Sequence, residues 1–187
     1  MNRSVLHLFF ACTLGALGFT SCITEPDFSD TPRIEFKRVE HYPALSRATT
    51  PAFDSLALVI GFEDGDADLG YNQTDQPDLF IFDPAINDTV VNPYYYNYRI
   101  DAYVKRNGQF QLIEFPNPAF TYNGRFQRIS DSEGGEPLEG EIRYGFIITP
   151  SIIRKGDTLR FDIRILDRAL HESNQVTTNE VVMKFTN

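Results

Sequence analysis

Apolar and polar side chains alternate along most of the chain after residue 33, which is the period of a β-strand with one buried face. The clearest case is residues 158–167, where apolar side chains occupy every second position and charged side chains lie between them. Residues 141–149 and 33–40 show the same alternation over shorter lengths. Residues 54–64 are apolar at nearly every position instead, which predicts a central strand covered on both faces.

Two Asn-Gly pairs predict hairpin turns. Asn107-Gly108 separates a strand at 98–106 from one at 109–115, and Asn123-Gly124 lies between two short aromatic runs. Both residue types tolerate positive φ, which the tightest hairpin turns require at both central positions. The remaining predicted segments are strands at 78–83 and 175–186 and loops at 42–53 and 131–140.

The pattern as a whole predicts an all-β fold. No segment has the period of an amphipathic helix of useful length, and about eight strands follow one another at short spacing. We therefore expect an immunoglobulin-like antiparallel β-sandwich of about seven to nine strands, spanning residues 34–187.

The end of the chain adds a resemblance to this prediction. Asp167 ends a predicted strand, and a polar loop with Ser173 and Asn174 leads to the last one. Over about thirty residues this resembles the last two strands of bacterial immunoglobulin-like and fibronectin-like domains. The resemblance implies a fold that many unrelated functions share, and it implies no activity.

The first 22 residues combine a basic start, an apolar stretch and small residues before a cysteine. Arg3 precedes the apolar run from Val5 to Leu17, which is shorter than the roughly 20 residues that cross a bilayer. Thr20 and Ser21 then precede Cys22. This resembles the lipobox of bacterial lipoproteins, in which an aliphatic and two small residues precede a lipidated cysteine, although a phenylalanine stands at the aliphatic position.

The lipobox resemblance implies how the chain is organised and where it resides. Residues 1–21 would be a signal peptide, Cys22 would carry the lipid, and residues 22–33 would be a tether. The protein is then expected at the outer membrane, attached by its lipid, on the periplasmic or the surface side. An ordinary cleaved signal with an incidental cysteine is the alternative.

Composition excludes several function classes. The formal net charge of −9 argues against binding nucleic acid through its phosphates. Cys12 and Cys22 both fall at or before the predicted cleavage point, so the domain is expected to hold no disulfide and no thiolate metal site. His171 has Asp167 and Ser173 nearby, but one short loop rarely supplies all three parts of a catalytic triad. We expect an exposed loop histidine and no enzyme.

An acidic segment at residues 62–72 is the best candidate for chemistry. Its carboxylates recur at every second position and resemble the start of an EF-hand loop, with departures at the sixth and twelfth positions. The last seven residues also resemble the D-x-D-x-G-x-N calcium segment of cadherin repeats. Calcium takes six to eight oxygen ligands, so the predicted ligands of a calcium ion are Asp64, Asp66, Asp68, Asn72 and Asp167. A plain acidic turn is the alternative.

The densest aromatic cluster lies at residues 94–98. Alternate members of a strand face the same side, so Tyr94, Tyr96 and Tyr98 are candidate ligand-binding residues that stack on sugar rings or anchor a protein interface. Packing on the sandwich is the alternative.

The expected function is a non-enzymatic interaction or assembly module with an envelope protein partner. The rival hypothesis is a calcium-assisted glycan-binding module at the cell surface.

Overall fold

The computed structural model describes residues 26–44, 52–116, 120–130 and 135–185, so the predicted signal peptide and Cys22 lie outside the described residues. The described part of the chain forms ten β-strands and no helix, and thus contains no helix able to cross a membrane. The strands are β1 (Arg33–Ala44), β2 (Phe53–Asp64), β3 (Phe80–Asp83), β4 (Asp88–Val91), β5 (Tyr98–Arg106), β6 (Gln109–Leu112), β7 (Leu138–Ile148), β8 (Thr158–Ile165), β9 (Val176–Thr177) and β10 (Val181–Val182).

The strands form two main sheets and a separate ribbon, and every named pair is antiparallel. One sheet has the order β1-β2-β7, and the other has the order β10-β8-β5-β6, with β9 also paired to β8. Strands β3 and β4 pair with each other. If the ribbon and β9 are left aside, one sheet consists of β1, β2 and β7, and the other consists of β5, β6, β8 and β10. Two antiparallel sheets that share one core form a β-sandwich, so the predicted all-β fold is confirmed.

The predicted central position of β2 is confirmed as well. It pairs with β1 on one side and β7 on the other, and its inward side chains Leu56, Leu58 and Ile60 are fully buried. The outward positions carry small residues such as Ala57 and Val59, which are buried too. Small central residues let the long side chains of the two flanking strands close over them.

Aromatic contacts join the two sheets across the core. The rings of Phe146 on β7 and Phe161 on β8 meet edge to face with centroids 5.6 Å apart. Tyr98 on β5 stacks on Tyr144 of β7 at 4.8 Å. Offset and edge-to-face pairs at such distances are the favoured geometries of aromatic packing. These contacts, with the aliphatic side chains around them, form one continuous hydrophobic core.

The two Asn-Gly pairs behave differently. Asn107 and Gly108 have φ values of 52° and 81° and form the tight turn predicted between β5 and β6. Asn123-Gly124 is not a hairpin turn: Gly124 pairs in a single bridge with Tyr98. A Cβ at Gly124 would lie 2.0 Å from the hydroxyl of Tyr144, so the glycine is required by a neighbouring side chain rather than by a turn.

Several boundaries differ from the sequence-based expectations. β6 ends at Leu112, and the predicted strand at 175–186 is two short strands, β9 and β10. The predicted loops at 42–53 and 131–140 are shorter at their described ends, because β1 continues to Ala44 and β7 begins at Leu138. Strand β4 was not predicted. A short or irregular strand carries too few alternating positions for its ends to be read from the sequence.

Candidate metal centre

The acidic segment begins at the end of β2, where strand alternation turns one carboxylate inward. Leu58, Ile60, Phe62 and Asp64 occupy successive inward positions, and Asp64 is fully buried. Gly65 follows, and its N–H donates to the carbonyl of Ser29 at 2.9 Å. The tether therefore contacts the start of the acidic loop through Ser29.

Asp64, Asp66 and Asp68 converge within this loop. One carboxylate oxygen from each lies within 4.8 Å of the other two. Two oxygens that bind the same calcium ion at about 2.4 Å can be at most about 4.8 Å apart, so this spacing is compatible with one shared ion. The positive φ of Ala67, 57°, accompanies the tight path that brings alternate carboxylates together.

Each of the three carboxylates has one oxygen without a partner. Asp64 Oδ2 accepts a hydrogen bond from the N–H of Asp68 at 3.1 Å, and Asp68 Oδ2 accepts one from the N–H of Ala169 at 3.0 Å. The Oδ1 atoms of Asp64, Asp66 and Asp68 are buried and accept no hydrogen bond from the described residues. Buried polar atoms are nearly always paired, so three unpaired oxygens in one short loop are unusual.

The local electrostatics reflect this unmet negative charge. Burial, followed by repulsion from Asp66 and Asp68, raises the pKa of Asp64 to about 7. Burial and the charge of Asp66 also raise the pKa of Asp68. Both shifts have the same cause, because a carboxylate removed from water and placed beside other carboxylates holds its proton more tightly.

Asp167 lies beside this cluster without joining it. It forms a bridge with Leu69, and its charge contributes to the raised pKa of Asp64. However, its Oδ1 accepts the N–H of His171 at 2.7 Å, and its Oδ2 lies 2.9 Å from Nδ1 of the same histidine. Asp167 is therefore outside the group of converging carboxylates, and its role as a ligand stays a prediction. Asp167 holds the neighbouring loop, because both of its oxygens already have partners.

Asn72 lies in a local turn of its own. It is exposed, and its Oδ1 accepts hydrogen bonds from the N–H and hydroxyl of Thr74 at 2.8 and 2.7 Å. The same oxygen accepts the N–H of Asp75 at 3.1 Å. The side chain of Asn72 therefore stabilises this turn, and its role as a calcium ligand stays a prediction.

The tyrosine cluster divides between core and surface. Tyr98 is fully buried and stacks on Tyr144, so its prediction as a ligand-binding residue is wrong. The first residue of β5 faces inward, and burial raises its pKa. Tyr94 is exposed, and Tyr96 is partly exposed and meets the ring of Tyr95 edge to face at 4.8 Å.

A polar groove of about 780 Å³, which begins at Tyr71 and Asn72 at the end of the acidic segment, was not anticipated from the sequence. Its lining combines amide, guanidinium and phenol groups, including Tyr71, Gln76, Arg125 and Arg128. Arg125 lies over the ring of Tyr95 at 4.3 Å, and Arg128 pairs with Asp75 at 2.8 Å. The arginines come from a segment without regular alternation, so no sequence pattern connected them with the loop.

The other residues considered for chemistry have structural partners. The hydroxyl of Ser173 accepts the N–H of Ile165 at 3.0 Å and donates to the carbonyl of Asn174 at 2.9 Å. His171 is half-exposed, and the charge of Asp167 raises its pKa. The side chain of His171 is therefore tied to the loop that it closes, and Ser173 caps the backbone beside it.

No protein-family model, no curated protein and no solved structure matches this chain. The arrangement of the site is therefore what bears on function. Three carboxylates converge at the end of β2 and in the loop that follows it, and each has a buried oxygen that accepts no hydrogen bond from the described residues. Such a set suits a hard divalent cation, with further oxygens supplied by backbone or water.

Proposed function

We propose that this protein is a lipid-anchored, non-enzymatic interaction module of the cell envelope whose sandwich binds one calcium ion through Asp64, Asp66 and Asp68. The observation that carries the calcium proposal is the set of three buried Oδ1 atoms that accept no hydrogen bond from the described residues. An unpaired buried carboxylate is costly, and a bound cation removes that cost.

The proposed envelope location rests on the lipobox resemblance around Cys22. The described chain begins at Pro26, and the four residues from Cys22 span at most about 14 Å when extended. The chain then passes Gly65 and enters β1 at Arg33, which pairs with Glu63 at the end of β2. The proposed calcium site therefore lies at the end of the sandwich that the tether reaches, which supports a role for the ion close to the anchor.

The size of the expected calcium effect follows from mass action. Extracellular calcium modules have dissociation constants of about 10⁻⁴–10⁻³ M. At about 2 mM calcium and a dissociation constant of about 10⁻⁴ M, binding would stabilise the fold by about 1.8 kcal/mol. For a chain of this length, that corresponds to a rise in melting temperature of roughly 5 °C.

Calorimetric titration with calcium, together with melting curves in calcium and in EDTA, tests the site. Wild-type protein should bind one ion and melt higher in calcium. Asp66→Asn should lose the binding heat, whereas Asp78→Asn, an exposed acid outside the cluster, should keep it. A wild-type protein with neither binding heat nor a calcium-dependent melting temperature would contradict the proposal.

The anchor is tested separately by mass spectrometry and fractionation of cells that express the full chain. We expect a mature N-terminus at Cys22 that carries acyl chains and fractionates with the outer membrane. Cys22→Ala should release the domain from the membrane fraction while leaving its calcium binding unchanged. An unmodified thiol at Cys22 in the membrane-bound wild-type protein would refute lipid attachment.

A second candidate function, calcium-assisted glycan binding, is favoured by the polar groove beside the loop. Amide and arginine side chains such as Gln76 and Arg125 are groups that hydrogen-bond to sugars. A glycan array probed in calcium and in EDTA tests this function. Glycan binding would support this function if it is weakened in Arg125→Ala and unchanged in Lys155→Ala. The absence of glycan binding both in calcium and in EDTA would contradict it.

A further inference from the structure

The ribbon formed by β3 and β4 exposes a concentration of large apolar side chains. Phe80, Phe82 and Ile86 are 56%, 61% and 61% exposed, and Ile81 and Val91 are exposed as well. Single exposed apolar residues are ordinary, but a contiguous group on one element marks a surface that another molecule covers. Phe80 lies opposite Val91 in the ribbon, and Phe82 lies two positions along the same face.

The strands of the ribbon pair only with each other among the described residues, and hydrogen bonds between its two ends close its base. Asn92 is buried there; its N–H donates to the carbonyl of Leu79 at 2.8 Å, and its side-chain amide donates to the carbonyl of Asp78 at 3.0 Å. Two-stranded ribbons are marginally stable in water by themselves. A closed base with exposed aromatic side chains beyond it therefore fits an element presented to a partner.

The charge of this region is strongly one-sided. No Lys or Arg occurs between Arg47 and Arg99, whereas nine Asp and Glu residues do, and the rest of the chain has as many basic as acidic residues. Within the ribbon, Asp83 lies directly opposite Asp88, next to the turn. Like charges opposite each other destabilise a strand pair. A basic partner would relieve this repulsion.

We infer that the β3–β4 ribbon docks into an apolar cleft, bordered by Lys or Arg, on another envelope protein. The aromatic side chains would fill the cleft, and Asp83 and Asp88 would pair with its basic border. A bilayer fits this surface less well, because Ile86 at the turn is flanked by the same two aspartates and anionic lipid would repel them. The inference extends the interaction role proposed above and does not depend on calcium.

Site-specific photo-crosslinking in cells of the source organism tests this surface in the full chain. A crosslinking residue is placed at Phe82 or Ile86, and at Ile147 as the control, an exposed apolar residue on β7. The crosslinked protein is identified, purified and titrated with the wild-type chain at low and high salt. The titration is repeated with Phe82→Ser, with Ile86→Ser, with Asp83→Asn/Asp88→Asn and with Ile147→Ser.

The inference predicts one protein adduct at Phe82 and Ile86 and none at Ile147. Binding of the purified partner should weaken at least tenfold in Phe82→Ser and Ile86→Ser, weaken in the double Asn variant and in high salt, and change less than twofold in Ile147→Ser. Melting temperature and calcium binding should stay unchanged, which separates failure of this surface from failure of the calcium site. Adducts only with lipid or a second copy, equal adducts at Ile147, no adduct, or salt-independent binding would overturn it.

Discussion

Strand β2 carries a buried aspartate near each end, and the two have opposite surroundings. Asp54 accepts hydrogen bonds from the N–H groups of Lys184 and Phe185 at 2.6 and 3.1 Å, and lies 3.0 Å from Nε2 of His41. Asp64 accepts one backbone hydrogen bond, its other oxygen has no partner, and its carboxylate converges with those of Asp66 and Asp68. Both side chains are fully buried.

This difference separates a structural aspartate from a binding one. Asp54 fastens the end of the chain to β2, because its charge is met by two backbone donors. The charge of Asp64 is met by one donor and opposed by Asp66 and Asp68. Removing a charge should therefore weaken the fold at the first site and strengthen the calcium-free fold at the second.

The largest expected effect is at Asp54. Asp54→Asn replaces one carboxylate oxygen by an NH2 group, which cannot accept a backbone hydrogen bond, and so leaves a buried N–H donor unpaired. We expect a loss of about 3–5 kcal/mol of unfolding free energy, measured by denaturant unfolding. The loss should be similar in calcium and in EDTA. A variant as stable as the wild type would show that these hydrogen bonds contribute little.

The next effect is at Asp64 and has the opposite sign. In EDTA at pH 8, Asp64→Asn should raise the unfolding free energy by about 2–3 kcal/mol, because it removes a charge that burial and two neighbours disfavour. The same variant should lose the calcium-dependent rise in melting temperature. Destabilisation in EDTA would mean that the carboxylate is compensated without a cation, and the contrast with Asp54 would then fail.

The pH dependence of the unfolding free energy provides a further test of the contrast between Asp54 and Asp64. The folded-state pKa of Asp64 is raised from 3.8 to about 7. Asp64 therefore adds to the unfolding free energy at low pH, and this contribution is lost as the pH rises through about 7. The raised pKa of His171 acts in the same direction. In EDTA, unfolding free energy should fall by about 2 kcal/mol between pH 5 and pH 8 through Asp64.

Calcium should reverse this trend, because Asp64, Asp66 and Asp68 bind the ion only when deprotonated. Calcium-dependent stabilisation should therefore be larger at pH 8 than at pH 5.5, as measured by paired melting curves. Asp64→Asn is the control, and it should flatten the dependence in EDTA. An equal calcium effect at both pH values would contradict proton competition at this site.

The smallest effect is expected on the outer face of the same sheet. There Arg38 pairs with Glu141 at 3.0 Å and Arg143 with Glu40 at 2.8 Å, and all of these side chains except that of Glu40 are about half exposed. Exposed ion pairs contribute little, because water already solvates both charges. Glu141→Gln should change the melting temperature by no more than about 1 °C. A larger change would indicate that this network supports β1 and β7 more than its exposure implies.

Much of the fold was predictable because it rests on local signals. Alternation along β7 and β8, the continuous apolar run of β2 and the turn at Asn107-Gly108 each follow from residues close in sequence. The hairpin predicted at the second Asn-Gly pair is wrong. Gly124 is required there because a side chain would collide with Tyr144, a residue twenty positions away. The ends of β6, β9 and β10 were missed, since such short strands are defined by their partners.

The sequence by itself determined the all-β architecture and the spacing of Asp64, Asp66 and Asp68, because side-chain alternation is a property of the local backbone. Only the tertiary structure decided which of the five predicted ligands converge, that Asp167 is held by His171, and that Tyr98 belongs to the core. It also left the β3–β4 ribbon outside both sheets. The physical reason is that burial and hydrogen-bond partners depend on segments far apart in the chain, and these decide whether a carboxylate is satisfied.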